Sequence, residues 1–131
     1  GSTRAVELAR ARTAGLAHVE VQRLQLPGEW PAEHHRFDLV VFSEIGYYLE
    51  AAALRCVVER IRGSLAPDAT VLACHWRRPI ADARCDAATV HTTLDAGLGL
   101  VHTGRWLDPD FRIDVWTADP RSVARRDGVP V

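Results

Sequence analysis

Phe37-Asp38-Leu39-Val40-Val41-Phe42-Ser43-Glu44-Ile45-Gly46-Tyr47-Tyr48-Leu49 is the central stretch of the chain. It opens as a nearly unbroken apolar run, the pattern of a parallel strand buried on both faces. It breaks off in small and polar residues, Ser43, Glu44 and Gly46. In an open α/β sheet, ligands bind just past the carboxyl ends of strands, so residues 43–48 stand where a ligand would be held. The only two tyrosines of the chain, Tyr47 and Tyr48, fall here together.

Working outward, residues 50–64 predict the clearest helix: Leu54, Val57, Val58, Ile61 and Leu65 form an amphipathic stripe that Gly63 and Pro67 close. A turn at Asp68-Ala69 leads into a second buried strand, Thr70-Val71-Leu72-Ala73-Cys74-His75-Trp76, which ends in the polar cluster Arg77-Arg78-Pro79. Residues 80–88 read as a loop. Residues 89–96 read as a short helix with Val90, Thr93 and Leu94 inward, ended by Gly97 and Gly99.

On the amino-terminal side, residues 2–13 predict a helix capped by Ser2 or Thr3. His18-Val19-Glu20-Val21-Gln22 alternates like a strand, and residues 24–35, with Pro27, Gly28, Trp30 and Pro31, read as a connection. On the other side, residues 100–107 predict a strand, Asp108-Pro109-Asp110 a turn, and Phe111-Arg112-Ile113-Asp114-Val115-Trp116 a strand with its apolar side chains on one face. Two strands joined by so short a turn are antiparallel. The fold class is therefore α/β: a mostly parallel sheet with a carboxy-terminal antiparallel hairpin. Residues 1–118 would form the domain portion and residues 119–131 an exposed tail or linker.

Composition narrows the function classes. The chain has 131 residues, 47% hydrophobic and 25% charged, an ordinary globular balance for one domain or part of one. A formal net charge of -1 favours neither nucleic acid nor an anionic membrane as partner. All 16 cationic side chains are arginine. No apolar run reaches the roughly 18 residues that cross a bilayer. Cys56, Cys74 and Cys85 lack the C-x-x-C spacing, which points to reduced thiols in a cytoplasmic protein. His18, His34, His35 and His102 show no ligand spacing, so no metal is expected.

Four motifs in order resemble those of class I S-adenosylmethionine-dependent methyltransferases, and more narrowly the NodS-like nodulation N-methyltransferases. Ser43-Glu44-Ile45-Gly46-Tyr47-Tyr48-Leu49 resembles the end of that group's fourth strand. His75-Trp76-Arg77-Arg78-Pro79, with Asp82 and Val90-His91, resembles its fifth strand and following loop. Asp110 through Trp116 resembles its last strand, and Leu26-Pro27-Gly28-Glu29-Trp30-Pro31 its adenine-side loop.

The resemblance implies a Rossmann-like methyltransferase sheet, S-adenosylmethionine as cofactor and a small-molecule methyl acceptor, with nitrogen and amino-sugar-like acceptors favoured. It implies cofactor contacts from Gln25, Leu26, Ser43 and Glu44, and acceptor contacts from Tyr47, Tyr48, Trp76, Arg77 and His91. His75 and Glu44 are the expected catalytic pair, because methylating an amine needs a neutral nitrogen and a histidine can take a proton near neutral pH. Ser43, Glu44 and His75 also read as strand-end residues without a role, Trp76 as core, and Arg77 and Arg78 as solvated surface.

One departure stands beside the matches. The family begins with a strand, a Gly-x-Gly-x-Gly turn, a helix and a second strand ending in an acid, and none of these is found here. The expectation is a domain without its first ~50 residues, the size of a βαβ unit, with strands 1 and 2 absent. Two sheet edges would then be open, to be completed by an amino-terminal segment or across a homodimer. The alternative is a catalytically incomplete fragment that acts only through association with another chain.

Overall fold

The computed structural model describes residues 2–31 and 36–129, so His34 and His35 lie outside the described residues. The elements run α1 (Thr3–Thr13), β1 (Phe37–Ser43), a 3₁₀ turn (Gly46–Tyr48), α2 (Ala51–Gly63), β2 (Leu65–Trp76), α3 (Ala87–Leu98), β3 (Val101–Leu107), β4 (Phe111–Thr117) and α4 (Val123–Arg126). They build one four-stranded sheet in the order β1-β2-β4-β3. The β1–β2 pair is parallel, with Ser43 opposite Cys74. Both pairs made by β4 are antiparallel. The hairpin's second strand thus lies against β2, which makes β1 and β3 the edges.

Both α2 and α3 cover one face of the sheet. Leu54, Val57, Val58 and Ile61 of α2 are all at most 2% exposed. Burying each such side chain stabilises the fold by roughly 1.5–3 kcal/mol. Gly97 is set by packing: a Cβ there would meet Val58 Cγ1 at 2.6 Å, so the glycine lets α3 press onto α2. Asp86 caps α3 by accepting from Thr89 N–H at 2.8 Å, which starts the helix two residues before the sequence places it. Ser2 caps α1 in the same way, accepting from Ala5 N–H, although α1 buries no residue.

Three expectations are corrected. The alternating residues 18–22 form no strand: a strand exists through its ladder, and no neighbouring strand pairs with them among the described residues. Arg10 instead donates from Nε and Nη2 to Val21 O, each at 3.2 Å. Asp68-Ala69 is not a turn but part of β2, whose register slips between the Phe37–Leu65 and Leu39–Thr70 pairs. The extra residues between these pairs, Pro67 among them, bulge from the ladder, where proline is tolerated. Beyond β4, Ser122 caps the short α4 by accepting from Arg125 N–H.

The third correction concerns β4. Phe111, Ile113 and Val115 do share one face, but the apolar set is split, and the opposite face, which carries Trp116, is the buried one: Asp114 is 0% and Trp116 1% exposed. A charged residue can face the covered side because its carboxylate is fully hydrogen-bonded there. On the other face, Leu39 and Val41 of β1 remain 57% and 58% exposed.

Candidate functional site

The site grows from the end of β1. Glu44 sits in the left-handed backbone region (φ 57°), which costs a side-chain-bearing residue of order 1–2 kcal/mol. Three contacts hold it there. Its N–H donates to Cys74 O at 3.0 Å, tying it to β2. Its Oε1 accepts from Trp76 N–H at 2.8 Å and its Oε2 from the Tyr47 hydroxyl at 2.6 Å. The exposed carboxylate is therefore aimed and held by β2 and the turn. Tyr47 is itself 3% exposed, and burial, followed by the bond to Glu44, pushes its pKa well above the ordinary tyrosine range, so its hydroxyl stays a donor.

This ridge separates two hollows. On one side a trough of about 470 Å³ is lined by Leu26, Trp30, Val41, Ser43 and Ile45. The sequence-expected cofactor residues Leu26 and Ser43 thus meet across it. Gln25, next to Leu26, donates its backbone N–H to Glu29 Oε2 at 2.6 Å. Trp30 Nε1 is buried with no hydrogen-bond partner. An orphaned donor in the wall of an aromatic and aliphatic trough suits a flat heterocycle with acceptor nitrogens, and the trough residues fit the adenine end of S-adenosylmethionine on that ground.

On the other side a groove of about 460 Å³ is lined by Tyr47, Trp76, Arg77, Arg78, Ile80 and Arg84, among others. Trp76 packs edge-on against Phe111 with ring centroids 4.9 Å apart. The Arg77 guanidinium bonds Asp108 O, and Arg78 pairs with Asp110 at 2.9 Å. Tyr48 is 47% exposed on the turn and meets Tyr47 edge-to-face at 4.9 Å.

His75 and His91 are not where the sequence reading put them. Both are 0% exposed. His75 Nε2 accepts from Gly46 N–H at 3.2 Å and its Nδ1 faces His91 Nε2 at 3.1 Å. Burial first, then His91, lowers the His75 pKa from 6.5 to about 3. In this arrangement both ring nitrogens of His75 are engaged within the fold, and neither ring presents surface to the groove. Cys74 and His75 do point to opposite faces, as strand neighbours must. Among the described residues, no group of three His, Cys, Asp or Glu side chains is set to hold a metal ion.

Sequence reasoning missed Asp114, the buried hub. Its Oδ2 meets His91 Nδ1 at 2.7 Å and Arg112 Nε at 2.5 Å. Its Oδ1 meets His102 Nε2 at 2.6 Å and Arg105 Nε at 2.7 Å. Burial alone would raise its pKa, but the four hydrogen bonds outweigh that and hold the carboxyl far below the usual range. The one available signal was an acid in an alternating strand beside two arginines and with histidines to spare.

Comparison with known proteins agrees with this geometry. A protein of Pseudomonas syringae assigned to the methyltransferases superposes with a TM-score of 0.76 at 40% identity, over 88% of this chain and 68% of that one. The N-methyltransferase NodS from Bradyrhizobium japonicum gives 0.74 at 24% identity, over 88% of this chain and 68% of its own. The same enzyme in complex with S-adenosylhomocysteine gives 0.73 at 23%, over 62% of its length. No family model matches, and neither does any curated protein. The sheet order is that of an α/β fold, and the chain belongs to the class I S-adenosylmethionine-dependent methyltransferase family. No helix of the described residues is long and apolar enough to cross a membrane.

Proposed function

We propose that this chain carries the adenine-side loop and the acceptor-side turn of a methyltransferase that places a methyl group on the nitrogen of a small, amino-sugar-like acceptor. The observation that carries this reading is the exposed Glu44 carboxylate, held in a left-handed backbone by Tyr47 and Trp76. A carboxylate offers about four acceptor directions and two are used, which leaves room to bind an amine. S-adenosylmethionine supplies an electrophilic methyl group when bound. Leu26, Trp30, Ser43 and the neighbouring Gln25 hold its adenine side. Glu44 orients the acceptor amine and receives its proton, directly or through water, the role the sequence assigned to His75. Trp76 and Arg77 wall the acceptor groove, Tyr48 stands at its rim, and Tyr47 aims Glu44. The protein's contribution is positioning and desolvation. With its three cysteines unpaired, the protein belongs in the cytoplasm on this reading.

A second reading is favoured by β1, an edge strand whose Leu39 and Val41 are more than half exposed. In it, catalysis requires association along that edge, with an amino-terminal segment of the parent domain or with a second copy of the chain. One experiment serves both: calorimetric titration with S-adenosylhomocysteine, with mass in solution measured alongside. Micromolar binding by a monomer supports a complete site, and binding only by a dimer supports the second reading. No binding by any species sinks the enzyme reading for the chain as it stands. Transfer from labelled S-adenosylmethionine to amines, and not to their hydroxyl analogues, tests the acceptor class.

A further inference from the structure

Gly46, His75, His91 and Asp114 form a buried hydrogen-bonded row that crosses the covered side of the sheet from the functional turn to β4. The links measure 3.2, 3.1 and 2.7 Å. Each member comes from a different element: the 3₁₀ turn, β2, α3 and β4. Gly46 is required by the approach itself, since a Cβ there would meet Val90 Cγ1 at 2.5 Å and His75 Nε2 at 2.9 Å.

The row admits one arrangement of protons. Gly46 N–H can only donate, so His75 Nε2 must accept and the His75 proton sits on Nδ1. His91 Nε2 must then accept from His75, which places the His91 proton on Nδ1, where it donates to the Asp114 carboxylate. Every nitrogen and the facing oxygen are satisfied, and both rings are neutral. A proton added to His75 Nε2 would face Gly46 N–H, and one added to His91 Nε2 would face His75 Nδ1–H. The charged groups facing the row are Arg105 and Arg112, both bonded to Asp114, which the titratable His102 also meets. The row cannot relay protons out of the site, because its last link is a backbone amide.

We propose that this row is a positioning device: Asp114 sets the His91 tautomer, His91 sets that of His75, and His75 clamps the Gly46 turn from which Glu44 and Tyr47 reach the site. The inference rests on the proposed role of Glu44, two residues before the clamped amide. His75 and His91 act through the turn and touch neither substrate nor cofactor. Asp114, which the sequence reading did not single out, becomes a determinant of the site's shape.

The test uses ¹⁵N-histidine-labelled protein and amide hydrogen exchange on the intact enzyme. Ring-nitrogen shifts should show the Nδ1–H tautomer for both His75 and His91, and the Gly46 amide should be protected. His91→Phe keeps a ring under α3 but removes both nitrogens. It should speed Gly46 exchange at least tenfold relative to core amides such as Val57, and lower kcat/KM at least tenfold. His91→Gln, which can still accept and donate, should restore part of both.

An Nε2–H tautomer for wild-type His75 overturns the proposal, as does unchanged Gly46 exchange in folded His91→Phe. If His91→Phe does not fold, the wild-type tautomers decide alone. If wild-type enzyme shows no methyl transfer, the functional reading fails, while the row still stands or falls on tautomers and exchange.

Discussion

The Tyr47 hydroxyl donates to Glu44 Oε2 at 2.6 Å, closing the turn that follows β1 with a charge-assisted hydrogen bond. The bond couples a buried ring to an exposed carboxylate. If Glu44 carries the acceptor amine, Glu44→Ala should lower kcat/KM at least about tenfold in a chain that still folds, at a stability cost of about 1–3 kcal/mol because the Tyr47 hydroxyl and Trp76 N–H lose their acceptor. Tyr47→Phe should cost less, because Trp76 N–H still holds the other oxygen. Equal activity of Glu44→Ala and wild type in a methyl-transfer assay would remove Glu44 from the mechanism.

Gly46→Ala should destabilise the fold by about 1–3 kcal/mol, the usual range for overpacking a core. The added methyl has Val90, His75 and Phe42 all within 2.9 Å. Urea unfolding would read the change as a lower midpoint, and an unchanged midpoint would mean that the turn is looser than described.

Stability should fall on acidification. His75 has its pKa lowered from 6.5 to about 3, by burial and then by His91. His91 is lowered too, chiefly by burial and against the bond to Asp114. Across that window the unfolded chain binds more protons than the fold, so stability rises with pH and is lost as pH drops below about 6.5. Each such group gives a slope of up to about 1.4 kcal/mol per pH unit. Asp114, with its pKa depressed, adds loss in the same direction once the pH passes below the ordinary carboxylate range. Denaturant titrations from about pH 8 to 4 should show a plateau and then a decline, and a flat profile would contradict the neutral histidine row.

The open β1 edge makes a further expectation. Leu39→Glu places a charge on a side chain that is 57% exposed on the uncovered face. It should leave the chain folded and, if copies pair along this edge, reduce that pairing in sedimentation velocity, as charges on edge strands do. Unchanged self-association would exclude that face from the contact.

Much of this protein was legible in its order of residues. The apolar run ending at Ser43-Glu44, the stripe Leu54, Val57, Val58 and Ile61, and the alternating hairpin strand each carry a period that only one element satisfies. They were enough to place those strands and that helix, because local periodicity is a property of neighbours in sequence, while the family rested on the resemblance of four motifs in order. Tertiary structure alone decided that residues 18–22 find no strand to pair with, and that β4 buries its Asp114 face. It also decided that His75 and His91 turn inward to each other instead of outward to a substrate. Those outcomes depend on what stands opposite a side chain, and partners such as His91 and Asp114, 23 residues apart, are set only when α3 closes over the sheet.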